Sequence, residues 1–142
     1  ESSAFDMYAL YVDENDHTKH TLFGCIQSKT SIRDRVTRDR EPSAQAMENF
    51  FWSIAMVIDG DFLKLPKFQA MVNGGSVTFE TKGWHAMYAQ QTQYVEDRIY
   101  ILSRNFMPLI DHAKQAMESW KEDRQWLKNW RPDDEKCDDK AC

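Results

Sequence analysis

The chain has 142 residues, 42% of them hydrophobic and 29% charged, which is ordinary for one soluble globular domain with a real core. No apolar run approaches the roughly 20 residues of a membrane span, and no secretory signal opens the sequence, so a membrane protein is excluded and a cytoplasmic one expected. The net charge of -5 argues against a chain that is basic over its whole surface, yet the charge is uneven. Lys29, Arg33, Arg35, Arg38 and Arg40 face only Asp34 and Asp39 in one short stretch. The tail after Pro132 holds five acids and two lysines, leaving the body near -2. A local basic stripe matters more for phosphate contact than the total does. Cys25, Cys137 and Cys142 form an odd, scattered set, which describes neither a disulfide framework nor a zinc site.

In chain order, Ala4–Val12 and Thr21–Thr30 read as the strands of a β-hairpin, with a polar turn centred near Asp16 and His17. Both strands are apolar on both faces, as in a sheet covered on both sides. Ile32–Arg40 either starts a helix or forms an ordered basic loop. Pro42-Ser43 marks a restart, and Ala44–Trp52 reads as a helix with Ala46, Met47, Phe50 and Phe51 on its apolar face. Ile54–Ile58 is a buried strand that ends at a turn on Gly60 and Asp61. Pro66–Val72 reads as a helix closed by Asn73-Gly74-Gly75, and Val77–Glu80 as a brief strand. Trp84–Gln91 favours a strand, while Asp97–Ser103 suits a strand or the start of a helix. Met107–Trp130 is the longest helical pattern, followed by Pro132. The order predicts an α/β (α+β) fold: a central mixed β-sheet flanked by helices. One domain is expected over residues 1–131, with a disordered acidic tail over 132–142. The chain opens almost directly on a strand, which fits the C-terminal piece of a longer protein.

The chemistry gathers on the hairpin. If paired residue numbers sum to roughly 33 to 35, Asp6 lies opposite Gln27 or Lys29. Strand alternation puts Gln27 and Lys29 on one face. A carboxylate, an amide and an ammonium then converge across two strands. Phosphodiester hydrolysis needs a divalent cation on oxygen ligands, a positioned water, and relief of the developing charge. Asp6 is a candidate ligand for magnesium, and Lys29 a candidate to orient or deprotonate the water. Gln27 offers only a carbonyl oxygen, a weaker ligand, so a second acid is expected elsewhere. Glu41, at the entrance of the inferred helix, is the candidate.

These residues resemble a known family. Phe5-Asp6 and Gln27-Ser28-Lys29 look like a variant of the PD-(D/E)XK nuclease motif. Lys29-Thr30-Ser31-Ile32-Arg33-Asp34-Arg35 is similar, more specifically, to type II restriction endonucleases of the branch that cuts CCGG- and CCWGG-like sites. The resemblance covers the chain to about residue 60. In that branch the second acid is relocated to the helix after the lysine; here position 42 is Pro and the nearest acid is Glu41. The family also has a helix before the Asp strand, where this sequence has only Glu1-Ser2-Ser3. The resemblance implies a restriction-endonuclease-like core and a Mg²⁺-dependent endonuclease that leaves 5′-phosphate and 3′-hydroxyl ends. It further implies double-stranded DNA as partner, a homodimer or partner subunit, and a prokaryotic cytoplasm. The implied catalytic residues are Asp6, Lys29, Gln27 and Glu41, with Asp6, Gln27 and Glu41 around the metal.

Arg33, Arg35, Arg38 and Arg40 are candidates to hold DNA phosphates or read guanine edges, or else form a solvated charged face. His85 belongs with Trp84 and Tyr88 in an aromatic cluster. Trp120, Trp126 and Trp130 fit a core or a subunit interface. A competing function is a non-catalytic DNA-binding or assembly subunit that keeps the nuclease fold. A structural domain that touches no nucleic acid is the blandest alternative.

Overall fold

The computed structural model describes residues 4–31 and 36–132; the tail from Asp133 onward, and Arg33 and Arg35 of the basic stripe, lie outside the described residues. One five-stranded sheet has the order β1 (Met7–Val12), β2 (His20–Lys29), β3 (Trp52–Asp59), β4 (Ala86–Gln91) and β5 (Ile99–Ile101). The hairpin pair β1–β2 is antiparallel and the remaining pairs are parallel, so the sheet is mixed as expected. Asp13 to Lys19 close the hairpin, with the Asp13 N–H donating to the Lys19 carbonyl at 3.1 Å. Met7 pairs with Ile26 and Ala9 with Gly24; a bulge then shifts Leu10 onto Leu22.

Strand periodicity builds two cores from one sheet. Ala55 and Val57 of β3 join Met87 and Ala89 of β4 in a cluster with Met71 and Leu63. The intervening Ile54, Ala86 and Tyr88 join Leu109, Ala116 and Leu127 on the other side. Helices α1 (Val36–Glu48) and α2 (Pro66–Asn73) cover the first face, and α3 (Leu109–Glu122) the second. The result is a three-layer α/β/α domain in which β3, between two parallel neighbours, is apolar on both faces.

Helix α1 begins within Ile32–Arg40, one of the two alternatives for that stretch, but departs from expectation at Pro42 and at its end. It starts at Val36, before Pro42, and runs through that proline. The missing Pro42 N–H leaves the Arg38 carbonyl without its helical donor. Tertiary contacts on either side of Pro42 hold the turn together, as shown below. The helix stops at Glu48 and not at Trp52. Phe50 takes a left-handed φ of 66°, and Phe51 N–H donates to Ala46 O while Phe50 N–H donates to Met47 O, a Schellman ending. Trp52 is thereby released as the first residue of β3.

Two further segments differ. Residues 77–80 are a tight turn and not a strand: Ser76 N–H donates to Phe79 O, and Phe79 N–H to Ser76 Oγ at 2.9 Å. The long C-terminal helical pattern breaks at Asp123. Its carboxylate accepts from the Gln125 N–H at 3.0 Å and starts a separate 3-10 turn over Arg124–Asn129. That turn lets Leu127 and Trp130 fold back onto the sheet. Among the described residues, no helix is long and apolar enough to cross a membrane.

Candidate active site

The parallel strands β2 to β5 end at one rim of the sheet, the edge where open α/β sheets bind ligands. Lys29 is the last residue of β2. Asp6 stands just before β1, and its N–H donates to Ile26 O at 2.9 Å, which continues the Met7–Ile26 pairing and sets Asp6 across from Gln27. The Asp6 carboxylate reaches over the neighbouring strand. Its Oδ2 accepts from the Ser28 N–H at 2.8 Å and lies 3.8 Å from Lys29 Nζ. Asp6 is 43% exposed and Lys29 only 24%, so the carboxylate is fixed at one oxygen and open to solvent at the rest. Beside them is a cleft of about 180 Å³ bordered by Ser28, Lys29, Met56, Ile58, Gln90 and Phe106.

Gln27 shares the sheet face of Lys29 but ends in the core. It is fully buried, its Nε2 donates to the Asp39 carbonyl at 2.9 Å, and its Oε1 accepts from Trp84 Nε1 at 2.9 Å. The carbonyl oxygen that a metal would need is therefore turned into the interior toward an indole. Glu41 sits exposed on α1, two residues past the carbonyl that Gln27 grips. The contacts the structure brings together at this site are Asp6 with Lys29 and Asp6 with Ser28; no contact joins Glu41 to them.

The basic stripe divides. Arg38 is exposed. Arg40 is committed elsewhere: its Nε donates to Met71 O at 2.8 Å, a terminal nitrogen donates to Thr81 O, and the guanidinium lies 5.1 Å from the centre of the Phe79 ring. Burial lowers its pKa from the ordinary arginine value. Gly83 permits that approach, since a Cβ there would come within 2.7 Å of Arg40 Nε.

Sequence reasoning missed Asp39 and Trp84 as Gln27's partners. A signal for Asp39 existed: Asp39, Ser43, Ala46 and Met47 recur at helical spacing, and all four are buried. The basic residues around Asp39 masked it. His85 does sit in an aromatic cluster, edge-on to Trp130 at 6.1 Å. Its Nδ1 accepts from the Ser53 N–H at 2.9 Å, which leaves the proton on Nε2, facing Lys128 O at 3.4 Å. Burial, and then the charges of Lys82 and Arg98, pull its pKa down to about 3.

The family model described as BsaWI restriction endonuclease type 2 matches residues 1–126. The chain belongs to this family of type II restriction endonucleases. A solved member, described as the crystal structure of a pre-specific restriction endonuclease BsaWI–DNA complex, is 52% identical and superposes with a TM-score of 0.84. The match covers 90% of this chain but 46% of that one, so the chain spans about half the length of its solved relative. No curated protein matches it. The mixed sheet with helices on both faces is thus the restriction-endonuclease architecture, as the hairpin motif implied.

Proposed function

We propose that this chain carries the catalytic core of a magnesium-dependent type II restriction endonuclease that hydrolyses phosphodiester bonds in double-stranded DNA. The observation that carries this reading is the Asp6–Lys29 pair, a carboxylate and an ammonium 3.8 Å apart at the rim where the parallel strands end. Family membership and the DNA bound in the solved relative support it.

The donor set fits magnesium. Asp6 and Glu41 each present an exposed carboxylate. Magnesium uses such sites, completing its shell with waters and phosphate oxygens. Asp6 would be one ligand and Glu41, carried by α1, the second. When bound, the ion supplies Lewis-acid stabilisation of the charge that builds on the phosphate. The Ser28 N–H holds one Asp6 oxygen and so fixes the direction in which the other faces. Lys29 holds and orients the attacking water by hydrogen bonding and offsets charge on the phosphate. Arg38 contacts the DNA backbone, as do Arg33 and Arg35 unless they read bases. Arg40, bound to the carbonyls of Met71 and Thr81, braces α1. Symmetric cleavage of the two strands implies a homodimer or a partner subunit, in the prokaryotic cytoplasm.

Incubation with plasmid DNA, with and without Mg²⁺, followed by mapping of the ends, tests the reading. Mg²⁺-dependent cuts with 5′-phosphate ends are expected. Asp6→Ala and Lys29→Ala should each lower cleavage by at least about a hundredfold with the circular dichroism spectrum unchanged; parental activity in either variant would sink the assignment.

A further inference from the structure

Glu41 and Lys29 are separated by twelve positions along the chain. Through space they are linked far more directly. Gln27 lies two residues before Lys29 on the same strand face, and its amide holds the carbonyl of Asp39, two residues before Glu41. The other end of the amide is held by the Trp84 indole, so the side chain has no freedom to swing. Being fully buried, it makes both bonds where water cannot replace them.

The rest of this turn of α1 is held as well. Arg40 is bound to the carbonyls of Met71 and Thr81. Ser43 Oγ and Ser53 Oγ share a buried hydrogen bond of 2.7 Å, which ties the helix to β3. Residues 39, 40 and 43 are thus anchored and Glu41 alone of the acids on this turn is exposed. Of these anchors, Gln27 is the one that starts from the strand bearing Lys29. It grips the helix next to the place where Pro42 withdraws a hydrogen bond, at the carbonyl that follows the unpaired one of Arg38.

We infer that Gln27 is a positioning residue: a buried amide clamp that sets the distance between the Asp6–Lys29 pair and Glu41, without touching metal or DNA itself. This rests on the site reading above, in which Asp6 and Glu41 are the carboxylates. Groups that orient metal ligands from behind shape affinity by holding geometry. The position where a ligand was expected therefore works one step further back. The Gln27–Asp39 bond transmits the position, and the Trp84 indole satisfies the buried oxygen at the other end of the amide.

The test uses Mn²⁺ as the probe, with free ion counted by electron paramagnetic resonance in the presence of duplex DNA and binding referred to folded protein. Gln27→Met removes both hydrogen bonds. Gln27→Leu likewise removes both, with a branched apolar side chain, so one of the two remains informative if the other fails to fold. Trp84→Phe removes the indole N–H together with part of the buried ring volume, and leaves the Gln27–Asp39 bond in place. The expected result is Mn²⁺ affinity about tenfold weaker in both Gln27 variants. Their kcat falls with KM for DNA unchanged, and higher Mn²⁺ concentration restores the rate. Trp84→Phe should melt at lower temperature yet bind Mn²⁺ like the parent. A folded Gln27 variant with parental Mn²⁺ affinity overturns the inference, as does Trp84→Phe weakening Mn²⁺ to the same extent. Asp6→Ala separates the two levels. If it too binds Mn²⁺ as the parent does, the site reading itself has failed; if it binds weakly while Gln27→Met binds normally, only the clamp has failed.

Discussion

Three residues with unremarkable identities hold unusual positions. Asp6 is one exposed carboxylate among many, yet a backbone N–H and an ammonium fix it at 2.8 and 3.8 Å. Gln27 is a neutral amide that a sequence reading places beside Asp6, and pairing bears that placement out; its chemistry is decided by Trp84 and Asp39. His85 shows the same dependence on surroundings. Its folded pKa of about 3 lies below the usual 6.5, because burial and then Lys82 and Arg98 disfavour the charged ring. The unfolded chain therefore takes up the proton first on acidification. Stability from this group is complete above pH 6.5 and is lost as pH falls from there toward 3. Urea midpoints measured between pH 4 and 8 should decline below pH 6.5, and His85→Asn should flatten that decline; an unchanged profile in the variant would show that other groups cause it.

At the scale of elements, hydrophobic pattern placed the five strands of the sheet and the α2 segment, but it added a strand at Val77–Glu80 that is a turn, and local propensity misjudged α1 and the C-terminus. Pro42 read as a start because proline suits a first turn. It lies inside the helix because Gln27, Arg40 and Ser43 grip the turn around it. The helix thereby tolerates a residue that disfavours it. Pro42→Ala should raise the denaturation midpoint, by about 1 to 3 kcal/mol in stability, through a restored bond to the Arg38 carbonyl; a lower midpoint would mean that the proline's fixed φ is itself needed. Asp123 misled in the opposite direction, since the apolar spacing continues past it to Trp130. A side chain that caps its own backbone ended α3 there. No heptad or helical count registers that competition.

Across the whole molecule, the two cores depend on the sheet between them and on the segment that closes the second one. Trp130 contacts Trp52 at 5.9 Å, His112 at 6.1 Å and His85 at 6.1 Å, all edge-on. Its carbonyl accepts from the nearly buried Arg98 at 3.0 Å. It joins the last described turn to β3, β4 and α3 together. Trp130→Ala should cost about 3 to 5 kcal/mol, from lost transfer energy and the cavity left behind. Calorimetry is the measurement; a loss below about 1 kcal/mol would show that the segment folds back without contributing to the core.

The sequence by itself determined the mixed α/β class, the hairpin that sets Asp6 opposite Gln27 or Lys29, and the nearness of Asp6 to Lys29. These follow from strand periodicity and turn chemistry, which act over a few residues. The KTSIRDR run pointed to the restriction-endonuclease family for the same reason, being contiguous. Tertiary structure decided what each polar side chain near the site faces. Gln27 became a core clamp, Arg40 a brace and Asp39 a buried acceptor, because their partners lie on α1, α2 and the segment before β4. Such partners are distant in sequence, and nothing in local pattern encodes which buried donor meets which acceptor.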